Sequence, residues 1–397
     1  MAEPRKAQIV AIGSAQLVAW ASSTYLPAVV AVPMAGELGL AVSWVFAAFS
    51  GALGLMAVLG PAVGRAIDRR GGRRVLCLGS LTLSAGLLCL AGATGPRTMF
   101  AGWLLLGVGM AGALYDAAFA ALVREHGLGA RGAITGITLL GGFASTVGWP
   151  LSSLLVELWN WRVACLFWAL ANLALALPLN FRFATAFLPV SGEAAPAVVS
   201  QDAPLAAVAS RRDFALLVIF GAATAFVTSA MAAHLPLLLL SAGVGTAVAV
   251  AAAALVGPAQ VVARIGEFIV DRRWQPSPLR GARLATALHP AGGLLLLGFG
   301  GAPAAACLFA VLHGAGNGLI TIARGTLPLH LFGSVGYGLR QGRLAIAQRL
   351  TQALAPFLFA LVVASGGATA GLALTIALSA VALAALLALR ERSGRRV

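Results

Sequence analysis

Five of the ionisable side chains inside long apolar stretches of this sequence are candidates for chemistry. They are Asp116, His234, Arg264, His313 and Arg324. At the centre of a membrane helix an arginine or aspartate costs about 2.5 to 3.5 kcal/mol on insertion scales, so each position requires a structural or chemical reason. A carboxylate or imidazole can carry a proton, and a planar guanidinium can bind a carboxylate through two hydrogen bonds. These residue types therefore favour anion binding and proton movement over covalent chemistry.

The two arginines and the aspartate each allow two interpretations. The guanidinium of Arg264 could bind a substrate carboxylate, or it could extend to the membrane surface or pair with Glu267. Arg324 presents the same choice. Asp116 could serve a substrate cavity or form a structural ion pair near the membrane surface. If their helices pack against each other, Asp116 and Arg324 could form a pair that opens and closes, and substituting both would then give non-additive effects.

His234 and His313 are candidates for proton coupling, since an unperturbed imidazole has a pKa near 6.5. A single histidine in a membrane helix is more often a hydrogen-bonded part of the structure, so both interpretations stay open. The other three histidines fall in or near loops and carry no functional prediction. They are His126, His289 and His330.

The composition requires a membrane. The 397 residues are 60% hydrophobic with a mean hydropathy of +0.94, which exceeds what a soluble core needs. The four cysteines lie in apolar runs without paired spacing, so we expect buried side chains rather than disulfides or a metal site. The single lysine, Lys6, is N-terminal, so no Walker-type phosphate loop is present. With twelve acidic residues and no nucleophile–base set, we expect neither an enzyme nor a cofactor.

Apolar runs bounded by charged and turn residues predict an all-α protein with twelve membrane spans. We place the spans near residues 8–33, 44–64, 75–94, 99–122, 132–156, 162–180, 213–240, 245–267, 283–300, 303–325, 343–364 and 367–389. Five prolines fall within the spans and predict bends there. They are Pro27, Pro61, Pro150, Pro236 and Pro258.

The basic residues predict the orientation of the chain. A formal charge of +15 would suggest a nucleic-acid partner for a soluble protein, but here the charge lies in loops between spans. With both termini in the cytoplasm, only Arg97 and Arg162 of the 27 lysine and arginine residues fall on the outer side. We therefore predict cytoplasmic termini in a bacterial-type inner membrane, and no nucleic-acid partner.

The chain divides into two halves of six spans, residues 1–181 and 213–397. Proline, glycine and polar residues interrupt the intervening residues 182–212 too often for a span, which predicts a cytoplasmic linker. Gly60-Pro61-Ala62 at the end of the second span returns as Gly257-Pro258-Ala259 in the eighth. Parallel repeats around a central site are typical of secondary transporters.

A glycine- and arginine-rich signature lies between the second and third spans. It consists of Gly64, Asp68, Arg69, Gly71, Arg73 and Arg74. In this signature, its span number and its central loop, the chain resembles the major facilitator superfamily. The resemblance implies two six-helix bundles that alternate access to a central site, with Asp68 helping to latch their inner ends. As partners of Asp68 we expect Arg124, Arg131 or the N-terminus of a neighbouring helix.

A second set of residues is similar to the monocarboxylate-transporter-like branch of that superfamily. The set comprises Tyr115, Gly129, Arg131, Gly141-Gly142, Trp149-Pro150-Leu151 and Trp161-Arg162. In its eighth span that branch has an aspartate four residues before an arginine, whereas here Gln260 precedes Arg264. The arginine fits the branch, and the missing aspartate weakens the case for proton coupling through that pair.

In the superfamily fold, spans one, four, seven and ten line the central cavity. The monocarboxylate-transporter-like branch adds span eight to these. Together the two resemblances imply a substrate and coupling site formed by Tyr25, Tyr115, Asp116, His234, Gln260, Arg264, His313, Asn317 and Arg324. We expect a proton-coupled secondary carrier for a small organic solute, and the cationic residues favour a monocarboxylate-like anion. Efflux of amphipathic or toxic compounds and a transporter-derived sensor are the alternatives. We expect a functional monomer in the lipid bilayer, without metal or cofactor.

Overall fold

The computed structural model describes residues 6–184, 211–274 and 276–390, and the secondary structure of these residues is helical. Apart from its first and last few residues, which belong to helices, the predicted linker at 182–212 lies outside the described residues. The division into two bundles at that linker stays a prediction. We use "first half" for residues 6–184 and "second half" for residues 211–390.

The first half contains spans 1 to 6, four of which are interrupted. Span 1 consists of Lys6–Ser22 and Pro27–Glu37, span 2 of Val42–Arg70, and span 3 of Gly72–Ala91. Span 4 consists of Pro96–Ala113 and Tyr115–His126, and span 5 of Arg131–Gly141 and Ala144–Leu158. Span 6 consists of Trp161–Ala171 and Leu177–Phe183, joined by a π-helical turn at Asn172–Ala176.

The second half contains spans 7 to 12. Spans 7 to 10 are Arg211–Ser241, Thr246–Trp274, Pro278–Gly298 and Pro303–Phe332. Spans 11 and 12 together form Tyr337–Ala388, divided at Gly367, whose φ of 71° is not helical. By length and composition, nine helical segments of the described residues could cross a membrane. Pro96–Leu158 contains spans 4 and 5, and Tyr337–Ala388 contains spans 11 and 12. With the separate helix Pro278–Gly298 as span 9, the total agrees with the twelve spans predicted.

The prolines act in two ways. Pro61, Pro150, Pro236 and Pro258 lie inside helices, as the sequence predicted. Pro27 instead begins the second segment of span 1. At that position a backbone N–H group would have no partner within the helix, so proline is tolerated.

Spans 2 and 11, which belong to different halves, meet through two pairs of glycines. A Cβ on Gly64 would overlap the main chain of Gly338, and a Cβ on Gly60 would lie 3.3 Å from the carbonyl oxygen of Gly342. Each helix thus presents two glycines four residues apart, a spacing that lets membrane helices approach closely. This contact fixes where span 11 lies against the first half.

The halves meet mainly at one end of the bundle, which we call the arginine-rich end because it carries Arg65 to Arg74. There Arg131 of span 5 pairs with Asp271 of span 8 at 2.7 Å, in addition to the glycine contacts between spans 2 and 11. At the opposite end, the segments Pro27–Glu37 and Ala144–Leu158 make their main contacts within the first half. The structure is therefore closed at the arginine-rich end.

Replacing Gly64 by alanine should separate spans 2 and 11, because the added Cβ would overlap main-chain atoms that cannot rotate away. In a background without native cysteines, we expect spin labels at positions 70 and 343 to move apart in electron paramagnetic resonance measurements. Gly54→Ala is the matched control on the same helix, since nothing lies within 4 Å of its added Cβ. An unchanged distance in Gly64→Ala would contradict the importance of this contact.

Candidate functional site

The candidate site lies where the interruptions of spans 1, 4 and 5 come together. Trp20 precedes the interruption of span 1, Tyr25 lies within it, and Tyr115 directly follows the interruption of span 4. The ring centroids of Trp20 and Tyr115 are 4.9 Å apart, and those of Trp20 and Tyr25 are 6.2 Å apart. A Cβ on Gly141, where span 5 breaks, would overlap the Tyr115 hydroxyl. Transporters commonly form their central sites from discontinuous helices of this kind.

Arg264 reaches this region from span 8 of the second half. It is 5% exposed, and its Nη1 occupies the space into which a side chain on Gly142 would project. Its hydrogen bonds are long: Nε donates to the Gly318 carbonyl at 3.3 Å, and Nη2 donates to side-chain oxygens of Gln260 at 3.5 Å and Thr321 at 3.4 Å. Within the described parts of the chain, no carboxylate forms an ion pair with Arg264. A buried cation with only weak neutral partners is suited to binding an anion.

Asp116 forms an ion pair between the halves, but with a different partner from the one predicted. Its carboxylate accepts hydrogen bonds from Arg349 Nη2 and Gln341 Nε2, each at 3.0 Å. Arg324 instead donates to the Thr224 hydroxyl at 3.1 Å, and its Nε is buried without a hydrogen-bond partner. The Asp116–Arg324 pair that the sequence analysis considered is not formed in this conformation, because span 11 rather than span 10 supplies the partner of Asp116.

Arg349 and Trp20 are the two site residues that the sequence analysis missed. The guanidinium carbon of Arg349 lies 6.0 Å from the centre of the Trp20 ring, and its Nη1 donates to Gln352 Oε1 at 3.0 Å. Arg349 lies within a predicted span, so the cost of charge in a membrane helix was a signal that could have identified it. No comparable signal distinguished Trp20 from other aromatic residues.

Asp68 of the signature contacts a helix N-terminus at the arginine-rich end. Its two carboxylate oxygens accept the N–H groups of Gly338 and Leu339, each at 2.9 Å, in the first turn of span 11. An anion is favoured at that position by the helix dipole. Arg124 donates to the main-chain oxygen of Asp68 at 2.9 Å. Arg131 was also predicted to bind Asp68, but it pairs with Asp271 instead, so that prediction is wrong.

The other signature residues shape the turn after span 2. Gly71 ends the helix with a φ of 80°, a conformation that favours glycine. Arg73 donates from Nε to the main-chain oxygen of Ala184 at 2.7 Å and thereby ties span 3 to the end of span 6. Arg69 and Arg74 are exposed.

The polar residues predicted on spans 7 and 10 make their contacts within the second half. A ring nitrogen of His234 lies 2.9 Å from the carbonyl oxygen of Pro356, and Asn317 accepts a hydrogen bond from the Thr228 hydroxyl at 3.0 Å. His313 stacks on His289 with ring centroids 4.7 Å apart. His289 was predicted in or near a loop, and that prediction is wrong: it is buried inside span 9, Pro278–Gly298.

The centre of the structure therefore carries an excess of positive charge. Arg264, Arg324 and Arg349 lie there with Asp116 as the one carboxylate that pairs with any of them among the described residues. Groups of three or more potential metal ligands are absent from the described residues. An excess of positive charge in a region of low dielectric attracts anions.

Comparisons with known proteins agree with one another. A model of the Major Facilitator Superfamily matches residues 12–336. The fold is similar to FucP in the outward conformation, with a TM-score of 0.73, 13% identity, and coverage of 96% of this chain and 99% of that one. It is also similar to the human organic anion transporter MFSD10, with a TM-score of 0.67, 17% identity, and coverage of 97% and 100%.

A variant of the E. coli fucose:proton symporter FucP gives a TM-score of 0.70 at 14% identity, with coverage of 96% and 99%. No curated protein matches this chain in sequence. At these identities the solved structures show the fold and leave the substrate open.

A double-mutant cycle tests the ion pair between the halves. Asp116→Asn and Arg349→Gln should each lower the melting temperature in detergent, because each leaves a buried charged group without its partner. The double variant should lose less than the sum, with a coupling of about 0.5–3 kcal/mol. Asp116→Asn combined with Arg324→Gln is the control and should show a smaller coupling, because these two side chains share no ion pair or hydrogen bond in the described structure. The opposite result, coupling to Arg324 but not to Arg349, would contradict the pairing described above.

Proposed function

This chain belongs to the major facilitator superfamily, and we propose that this secondary transporter carries a small organic anion of the monocarboxylate type. The observation that carries the proposal is Arg264. Its guanidinium is buried at the meeting point of the helix interruptions, and its hydrogen bonds of 3.3–3.5 Å to neutral oxygens are weak enough for a carboxylate to replace.

The transport cycle that we propose moves two six-helix bundles, residues 1–181 and 213–397, around this site. Both termini and the arginine-rich end face the cytoplasm of a bacterial-type inner membrane, because basic loops are retained on that side. In that orientation the closed end is the inner end, and the conformation is outward-facing. In the proposed cycle, Asp68 releases the N-terminus of span 11 when the inner end opens, and Arg131 releases Asp271.

We propose that Asp116 couples transport to a proton. Protonation of Asp116 would neutralise the partner of Arg349 and weaken the contact between the halves. Gln260 cannot take this role because its amide does not ionise in the physiological range. His234 and His313 are less suited, since their contacts lie within one half of the molecule.

Efflux of amphipathic compounds is the second candidate. The aromatic side chains of Trp20, Tyr25 and Tyr115 could accommodate a hydrophobic solute. The three arginines make a hydrophobic cation the less favourable cargo, because like charges repel in a low-dielectric site.

A ligand screen on the purified protein tests the proposed cargo. Monocarboxylates should raise the melting temperature, since a ligand at 100 times its Kd stabilises by about 2.7 kcal/mol. Arg264→Gln should abolish this shift, and an inward proton gradient should drive accumulation of the active acid in proteoliposomes only when Arg264 is present. Arg272→Gln is the matched control, because Arg272 is exposed near the end of the same helix. Shifts by hydrophobic cations but by no carboxylate would reverse the order of the two candidates.

A substitution in the signature tests the proposed latch. Asp68→Asn should leave membrane insertion intact but reduce transport severely, because a neutral amide supplies only one acceptor for two N–H groups and no charge for the helix dipole. Glu157→Gln, which removes an exposed carboxylate at the opposite end, should transport normally. Normal turnover in Asp68→Asn would reduce the signature to a topological anchor.

A further inference from the structure

We infer that the site selects anions with an aromatic body, so that the substrate class is the aromatic carboxylates. This inference rests on the proposed function and deepens it by naming the group that accompanies the carboxylate. It follows from a row of aromatic side chains in the first half, which we call the aromatic wall: Trp20, Tyr25, Tyr115 and Trp149.

The aromatic wall is continuous from the exposed end of the site to its buried end. Trp149 is 46% exposed, and its ring lies 5.5 Å from that of Tyr25 in an edge-to-face arrangement. Its indole N–H donates to the main-chain oxygen of Tyr25 at 3.1 Å, which fixes the ring in place. Trp20 then connects Tyr25 to Tyr115, which is 7% exposed. Two of the chain's three tyrosines belong to this row, so polar aromatic groups are concentrated here.

The buried end of the wall meets the cation that would bind the carboxylate. The Tyr115 hydroxyl occupies the space at Gly141, and Arg264 Nη1 occupies the space at Gly142. Gly141 and Gly142 are consecutive residues, so the phenol and the guanidinium reach neighbouring positions of span 5. A planar anion with its carboxylate on Arg264 would therefore lie along the aromatic wall.

Two polar groups of the wall lack good partners in the described structure. Trp20 Nε1 is buried and makes no hydrogen bond, and the Tyr115 hydroxyl makes one long bond of 3.5 Å to the Thr138 carbonyl. Buried indole and phenol groups normally find a partner, because an unmade hydrogen bond is costly. A bound carboxylate supplies acceptors in this region, which an uncharged hydrocarbon would not.

The aromatic wall should distinguish between acids of equal size and charge. Stacked or edge-to-face aromatic pairs are favoured beyond the burial of their area, which corresponds to about a two- to tenfold difference in affinity. Benzoate and cyclohexanecarboxylate differ in the aromatic character of the ring while both present one carboxylate, so they form a matched pair of probes.

The test measures the affinity of the purified full-length protein for these two acids by titration calorimetry. We expect benzoate to bind about two- to tenfold more tightly than cyclohexanecarboxylate. Trp20→Leu should bring this ratio close to one while cyclohexanecarboxylate still binds, and Tyr25→Leu should reduce it if Trp20→Leu fails to fold. Trp159→Leu, which changes a tryptophan that is 62% exposed outside the wall, should keep the ratio. Arg264→Gln should abolish the binding of both acids.

The outcomes separate this inference from the proposed function. Equal affinities for the two acids in the unchanged protein would overturn the aromatic selectivity and leave the anion transporter intact. A preference that survives both Trp20→Leu and Tyr25→Leu would also overturn it, since the wall would then be only a packed part of the helix bundle. Binding of neither acid, when another monocarboxylate raises the melting temperature, would overturn the aromatic selectivity alone, and binding of no monocarboxylate at all would overturn the proposed function itself.

Discussion

The close approach of spans 2 and 11 is the constraint on which the rest of the structure depends. Main-chain atoms of Gly60 and Gly64 meet those of Gly342 and Gly338, so neither helix can slide without a clash. This register brings the first turn of span 11 to Asp68, and it brings Arg349, farther along the same helix, to Asp116. Span 11 thus binds two carboxylates of the first half: its N-terminus binds Asp68, and its Arg349 binds Asp116.

The arginines of the site differ in how firmly they are held, and this difference separates their functions. Arg349 has a carboxylate partner at 3.0 Å, so a substrate anion would have to compete with a formal charge. Arg264 has only neutral oxygens at 3.3–3.5 Å, and a carboxylate gives a stronger, charge-assisted bond than any of these. The proposed anion binding at Arg264 and proton binding at Asp116 are therefore compatible, because the anion would bind one arginine and the proton would neutralise the partner of another, Arg349.

Hydropathy predicted the twelve spans, since the bilayer imposes one length on every crossing. The sequence also placed four prolines correctly inside helices. The interruption of span 4 at Leu114 was not predicted, because that position carries neither a proline nor a glycine. The partner of Asp116 lies 233 positions away along the chain, so its identity depends on helix packing that periodicity does not report. Arg349 was identifiable as a charge within a span, but choosing it over Arg324 required the glycine contacts of span 11.

The contact between the halves is built so that it can open. Among the described residues, two of the four apolar clusters lie entirely in the second half. The buried members of a third lie in the first half, with Ala353 of the second half packed against it, and the fourth crosses between the halves through Leu329 and Tyr337. The halves also meet through glycine pairs, an ion pair and a capped helix N-terminus, groups that water can solvate after separation, and Gly325 of span 10 packs against Phe119 of span 4. Polar contacts of this kind suit the opening of the inner end that we propose for the transport cycle. The same discrete contacts also make the closed state well defined, because each is lost completely once the helices move apart.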